Sequence, residues 1–224
     1  MKILTGIICI DRDSDLAPQL YNSIKRNKAE YIIIVTRNSD LNMINFWKGK
    51  ANVITVPHYD IQERHNFDAI IQKRNIIVQY AIKYNYDAIW FVDADVIPLD
   101  GTLDELVKTD KDICFAPYKI KRYGYPCVGI KSENPPYIKD YRITDNDKKY
   151  KRKECIIGGL GCTLVKSSAF HIKIEYTRII DKGLFADGED LGFFINCYKA
   201  GLKCEYLPNY IQPHLYDRTY ANNS

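Results

Sequence analysis

The sequence predicts an α/β protein built on a mostly parallel central sheet with flanking helices, and three observations carry that expectation. Short β-branched runs alternate with stretches of helical periodicity, the pattern of strands joined by crossover helices. One of those runs, Ile89-Trp90-Phe91-Val92, is apolar throughout, as a strand covered on both faces must be. The 224 residues, 46% hydrophobic with only 12 Gly and 9 Pro, exclude disordered and collagen-like chains and suffice for one core.

The elements follow in order. Strands are predicted at Ile3–Ile10, Tyr31–Val35, Val53–Val56, Ala88–Val92, Ile113–Ala116, Cys162–Lys166 and Lys203–Leu207. A first helix follows Asp15 with Leu16, Leu20 and Ile24 inward. A second starts near Asn66 and carries Phe67, Ile70, Ile71, Ile77, Val78, Ala81 and Ile82 at helical spacing. A third, capped by Asp187, carries Leu191, Phe194, Ile195 and Tyr198 and stops at Gly201. A single domain over residues 1–216 with a tail at 217–224 is expected, because no repeat or composition shift divides the chain.

The net charge of +4 is unevenly distributed. Between Lys119 and Lys153 eleven basic residues face four acidic ones, so that segment carries +7 and the remainder −3. It also contains Tyr123, Tyr125, Tyr137, Tyr141, Tyr150 and the Pro135-Pro136 pair, without sustained periodicity. This reads as an inserted basic, Tyr-rich loop or small subdomain, either solvated and without a ligand or suited to sugar faces and anionic groups, rather than a nucleic-acid-binding face. Seven cysteines, an odd number without Cys-x-x-Cys spacing, read as reduced thiols of a cytoplasmic protein. The apolar amino terminus is too short for a membrane span and is ended by Asp11-Arg12-Asp13.

The strongest chemical signal is Asp93-Ala94-Asp95 at the end of the apolar strand. Strand alternation places both carboxylates on one side, about 6.6 Å apart. Strand carboxyl ends are where open α/β sheets bind ligands. Two such carboxylates either begin a solvated turn before Pro98 or, repelling each other, call for a cation, and hard oxygen ligands suit Mg²⁺ or Mn²⁺. An EF-hand is excluded, since Pro98 stands where the loop needs Gly and Ile97 where it needs a ligand. Arg74 interrupts the apolar stripe of the second helix, so its cation needs a buried partner: either a phosphate-bearing ligand or a carboxylate such as Asp68. Glu189 and Asp190 fall in the first turn of the third helix, where they either serve the helix dipole or act as a general base. Gly158-Gly159 with Gly161 either admits a ligand close to the backbone or makes a turn. His58, His65 and His171 have no motif around them and read as structural, whereas His214 follows the last strand.

In order, these pieces resemble the GT-A glycosyltransferases, most closely compact single-domain family 2-like members. They are the first strand and helix, Val35-Thr36-Arg37-Asn38-Ser39-Asp40, Lys73-Arg74-Asn75, Asp93-Ala94-Asp95, Gly158-Gly159, Glu189-Asp190 and His214. The resemblance spans about Ile3 to His214 and implies a metal-dependent transfer of sugar from a nucleoside-diphosphate sugar, a UDP- or GDP-sugar, to an acceptor hydroxyl on a glycan or glycoprotein. It implies Asp93 on the ribose or donor sugar, Asp95 on Mn²⁺ or Mg²⁺, with His214 and Asp93 as further metal candidates. Arg74, Ala94, Gly158 and Gly159 would line the donor, and Ile10, Asp11, Arg12, Thr36 and Arg37 would border the nucleoside. Asp190 would be the base of an inverting reaction, with Glu189 its rival. The sequence departs from the family where Thr36-Arg37 replaces the usual acid after the second strand, and where a late Gln-x-x-Arg-Trp element is missing, which argues against processive polymer synthesis. The size also suits one module of a longer enzyme. Two alternatives remain open: a haloacid dehalogenase-like phosphatase using Asp93 and Asp95, and a non-catalytic sugar-nucleotide-binding module.

Overall fold

The computed structural model describes residues 1–57, 66–119, 127–131, 138–181 and 184–215. In the amino-terminal half, parallel strands alternate with helices: β1 (Ile3–Ile8), α1 (Ala17–Arg26), β2 (Tyr31–Arg37), α2 (Leu41–Trp47), β3 (Asn52–Val56), α3 (Asn66–Lys83) and β4 (Ala88–Asp93). After α4 (Thr102–Leu106) and β5 (Ile113–Phe115) come a hairpin of β6 (Cys127–Lys131) and β7 (Ile138–Arg142), then β8 (Lys153–Cys155) and β9 (Cys162–Lys166). A second hairpin, β10 (Thr177–Asp181) and β11 (Leu184–Gly188), leads into α5 (Glu189–Lys199) and β12 (Cys204–Tyr206).

The central sheet has eight strands in the order β3-β2-β1-β4-β9-β5-β12-β8. β9 runs antiparallel to β4 and β5, and β8 antiparallel to β12, so the other six share one direction. The chain moves outward from β1 through β2 to β3, then returns to place β4 on the other side of β1. That reversal opens a crevice at the carboxyl ends of β1 and β4, where Ile8 is paired with Asp93.

Alternation along β4 distributes its side chains between two cores. Ile89 and Phe91 face Ile77, Val78 and Ala81 of α3 and Phe193, Phe194 and Cys197 of α5. Trp90 and Val92 face Leu20 and Ile24 of α1, Met43 and Trp47 of α2, and Leu103 and Leu106 of α4. Asp93 therefore inherits the face of Phe91 and points toward α3 and α5. α3 approaches β1 so closely that a Cβ on Gly6 would lie 2.5 Å from the Ile77 side chain.

Several expectations are corrected. β1 ends at Ile8, not Ile10, because the chain turns into a short 3₁₀ segment at Asp11–Asp13. β4 ends at Asp93, and Asp95 lies in the following turn, so the two carboxylates do not share one strand face. α5 begins at Glu189 behind Gly188, whose φ of 142° only glycine adopts readily; Asp187 belongs to β11 and is not the N-cap. Ile82 and Tyr198 are exposed, and Phe193 takes the inward place on α5. The segment 119–153 contains β6 and β7, with Gly129 of β6 bridged to Ile157. Lys121, Arg122, Tyr123, Tyr125, Tyr137, His58, His65 and the tail at 217–224 lie outside the described residues. Among the described residues no helix is long and apolar enough to cross a membrane.

Packing makes one glycine a sensitive probe of the α5 side of the sheet. A Cβ at Gly192 would sit 2.0 Å from the backbone carbonyl oxygen of Glu175, an atom no rotamer change can move. Gly192→Ala should cost about 2–3 kcal/mol, measured as a lowered urea midpoint with an unchanged m-value. A midpoint equal to wild type would show that α5 does not press on the chain at Glu175.

Candidate active site

The crevice has an anionic floor organised by one cation. Arg74 lies on α3 one turn before Ile77 and Val78, which fixes its direction toward the sheet, and it is only 1% exposed. Its Nη2 donates to Asp93 Oδ1 at 3.0 Å and lies 3.5 Å from Glu189 Oε1 and 3.7 Å from Asp190 Oδ1. Nη1 donates to the Leu160 carbonyl at 3.5 Å. The buried partner that the sequence required of Arg74 is thus a set of three carboxylates, and Asp68 is not among them.

Three carboxylates around one guanidinium leave excess negative charge in a buried place. Burial raises the Asp93 carboxyl, with Arg74 acting in the opposite direction and Asp95 and Glu189 adding to the rise. Burial likewise pushes Asp190 well above the ordinary carboxylate range, reinforced by the Glu189 charge. The two candidate bases differ in reach. The Glu189 side chain is 8% exposed and turned to Arg74, whereas Asp190 is 28% exposed. Asp190 Oδ1 accepts no hydrogen bond from the described residues.

Asp95 belongs to a second group. Its Oδ2 faces His214 Nε2 at 3.4 Å, and its backbone carbonyl accepts from Leu215 N at 2.7 Å. His214 is carried on an extended strap after β12, tied back by the Val96–His214 bridge and by Ile97 N donating to Pro213 O at 3.0 Å. His214 Nδ1 lies 2.7 Å from the Lys119 carbonyl, which can only accept, so Nδ1 carries hydrogen. Nε2 then turns toward a carboxylate, and a proton or a metal cation must lie between them. Burial opposes the charged imidazole, but the Asp95 and Lys119 contacts outweigh it and raise His214 above its ordinary value. Burial likewise opposes the charged form of Asp95, and His214 overcomes it to hold that carboxyl below its ordinary value. Among the described residues no group of three or more His, Cys, Asp and Glu side chains converges as a metal cage. The structure brings Asp95 and His214 together and commits Asp93 to Arg74.

The glycine loop has a packing explanation. A Cβ on Gly158 would lie 2.2 Å from the Phe115 ring, one on Gly159 2.3 Å from the Tyr118 hydroxyl, and one on Gly161 2.7 Å from Asp93 Oδ2. Aromatic rings, rather than open ligand space, fill the places at Gly158 and Gly159. Tyr118 was not singled out from the sequence, yet its hydroxyl accepts from Gly161 N at 3.3 Å and its ring meets His214 edge-on at 5.0 Å. Ala94 is 4% exposed and packs in the α1 core.

At the ends of β1 and β2 the predicted nucleoside-bordering residues are mostly engaged with other protein groups, Asp40 above all. Thr36 Oγ1 lies 3.0 Å from the Cys9 carbonyl and 2.8 Å from Asp40 Oδ2. Arg37 grips Asp40 with Nη2 at 2.6 Å, and Asp11 Oδ1 accepts from Met43 N at 3.0 Å. Ile10 is half-buried, and the Arg12 side chain, beside Asp13, is 75% exposed. Lys73, quoted within Lys73-Arg74-Asn75 but given no role of its own, is buried and donates to the Cys9 carbonyl at 2.8 Å. Its position, three residues after Ile70 and four before Ile77, was the available signal.

No protein-family model matches the chain, and no curated protein matches it. Solved structures do. A nucleotidyl transferase from Methanothermobacter thermautotroptrophicus aligns with a TM-score of 0.52 at 9% identity, over 92% of this chain and 86% of that one. The 4-diphosphocytidyl-2C-methyl-D-erythritol synthase from Anaerococcus prevotii gives 0.55 at 12%, over 99% and 96%. Glucosyl-3-phosphoglycerate synthase from Mycobacterium tuberculosis, in complex with Mn²⁺, UDP and phosphoglyceric acid, gives 0.54 at 13%, over 95% and 70%. Fold and crevice define a GT-A-type α/β protein, the fold that the ordered motifs implied. At these identities the likeness speaks for the fold.

The Asp40 cluster provides a test of the β2 corner. Burial opposes the ionised form, but the hydrogen bonds from Arg37 and Thr36 outweigh it and hold Asp40 at about 2, below the 3.8 of a free carboxyl. A depressed carboxyl stabilises the fold above its unfolded value, and that contribution is lost as pH falls toward about 2. Asp40→Ala should therefore cost about 2–4 kcal/mol at pH 7 and progressively less below pH 4. Urea midpoints across that range check it, and a pH-independent deficit would refute the ionic contribution.

Proposed function

We propose that the protein is a metal-dependent glycosyltransferase that moves a sugar from a nucleoside-diphosphate sugar, a UDP- or GDP-sugar, to an acceptor hydroxyl, with inversion. The observation that carries this reading is the pairing, on either side of one turn, of an Asp95–His214 couple with a carboxylate cluster that presents Asp190. The donor set fits the metal: an imidazole Nε2 and a carboxylate oxygen already face each other at 3.4 Å, and diphosphate oxygens and water would complete the coordination of Mn²⁺ or Mg²⁺. A metal held by Asp95 and His214 would stabilise negative charge on the departing nucleoside diphosphate.

This chain's residues supply the rest. Asp190, the more exposed of the two candidate bases, takes the proton of the acceptor hydroxyl as that oxygen bonds to the anomeric carbon. The bond from the anomeric carbon to the diphosphate oxygen breaks, and the nucleoside diphosphate leaves from the opposite face. Glu189 stays against Arg74 and sets the field at Asp190. Asp93, whose two oxygens both accept from Arg74 Nη2, would meet the ribose or donor sugar through a remaining lone pair. The segment 119–153 would serve the acceptor, a glycan or glycoprotein.

Nucleotidyl transfer is a second reading, favoured by the similar chain lengths: the match covers 86% of the nucleotidyl transferase but 70% of the glucosyl enzyme. The loop after β1 argues against it. A triphosphate is held by backbone N–H groups of glycine-containing turns, whereas Cys9–Leu16 has no glycine and contains Asp11, Asp13 and Asp15.

A panel of nucleotide sugars with Mn²⁺ or Mg²⁺, with and without EDTA, tests the reading. Metal-dependent binding and turnover of one of them is expected. Neither binding nor turnover of any would overturn the proposal, while pyrophosphate released from nucleoside triphosphates, or phosphate from phosphomonoesters, would transfer it to the competing activities. Asp95→Ala should weaken metal-dependent nucleotide binding at least about tenfold. Asp190→Asn should keep that binding and lose about 10²–10⁴ in transfer rate; undiminished transfer would move the base elsewhere. Because the base works only when ionised and Asp190 is raised, the rate should climb with pH through a limb above the ordinary carboxylate range. Removing the neighbouring charge in Glu189→Gln should shift that limb to lower pH.

A further inference from the structure

Away from the crevice, two thiols oppose each other at the far edge of the sheet. Cys155 on the edge strand β8 is directly paired with Cys204 on β12, and their Sγ atoms are 3.4 Å apart. Directly opposed residues of an antiparallel pair have Cα atoms about 4.5–5.5 Å apart, inside the range a disulfide spans. A bond of about 2.05 Å would need the sulfurs to close by roughly 1.4 Å, within reach of side-chain rotation. Of the six thiols described, Cys155 is the one that is not buried; Cys9, Cys114, Cys162, Cys197 and Cys204 are.

We infer that Cys155 and Cys204 form a redox modification site that takes a low-molecular-weight disulfide such as glutathione disulfide and closes into an intramolecular bond. The half-buried Cys155 is the point of attack. Its thiolate bonds to one sulfur of glutathione disulfide, that S–S bond breaks, and one glutathione thiolate leaves. Cys204 then loses its proton to solvent and its sulfur attacks Cys155 Sγ, expelling the second glutathione. Two protein thiols are oxidised and one external disulfide is reduced to two thiols. Burial pushes the Cys204 thiol well above its ordinary value, with the Cys155 sulfur adding to the rise.

The bond would staple β8 to β12, the roots of two segments that border the crevice. β8 runs on into the glycine loop around Tyr118 and Asp93, and β12 into the strap bearing His214. The inference is independent of the transfer reaction. Incubating the dilute native chain with glutathione disulfide, blocking remaining thiols and digesting with trypsin should join the peptides 154–166 and 204–218. Cys162 shares the first peptide, so Cys155→Ser and Cys204→Ser must each abolish the link, and Cys162→Ser and Cys114→Ser must keep it. The oxidised wild type should melt about 5–10 °C higher, and dithiothreitol should reverse the shift. Thiols that remain reduced, glutathione adducts without a link, or a link that survives Cys155→Ser would each overturn the assignment.

Discussion

The guanidinium of Arg74 is the constraint on which the rest of the crevice depends. It joins α3 to the end of β4 through Asp93 and to the start of α5 through Glu189 and Asp190. At an effective dielectric of about 20, each contact at these distances supplies roughly 4–6 kcal/mol of gross attraction. Desolvation and mutual repulsion of the carboxylates offset much of it, because one positive charge cannot balance three negative ones. Burial first, and the surplus of negative charge after it, raise Asp93 and Asp190, so the cluster favours holding a proton or receiving positive charge. A carboxylate placed in this way needs no separate device to lift it above the ordinary range.

This arrangement was legible in part because a cation on an apolar stripe is a conflict that tertiary structure must resolve. Arg74 interrupts the run through Ile70, Ile77 and Val78, and its face was predictable from spacing alone. Its partners were not, since they come from β4 and α5, distant in the chain. The β4 reading failed at its last step for a local reason. Alternation was carried one residue pair too far, past Asp93 into a turn closed by Val96 N donating to Asp93 O. Gly188 was overlooked as the start of α5 because Asp187 satisfies the usual capping preference; the φ required there belongs to glycine. α2 and α4, of seven and five residues, are too short for periodicity to reveal.

The basic segment shows how composition overstates free charge. Arg152 is paired with Glu105 and Glu205, Lys153 with the buried Asp147, and Lys148 with Asp145. Two of those acids, Glu105 and Glu205, lie outside the segment, so part of its +7 is used to attach it to α4 and β12. For Arg152 and Lys153 the charge is structural before it is available to any ligand. The glycine loop follows the same logic, as Phe115 and Tyr118 take the space of the missing side chains.

The two carboxylates of Asp93-Ala94-Asp95 are therefore chemically different although the motif presents them as a pair. Asp93, at the last position of β4, is tied to a permanent cation and raised by burial. Asp95, two residues on and across the turn, faces a histidine whose charge is exchangeable and is lowered by it. The turn after β4 separates a carboxylate bound to a permanent cation from one paired with a titratable imidazole. Ala94, small and packed against the α1 core, allows the chain to make that division within three residues.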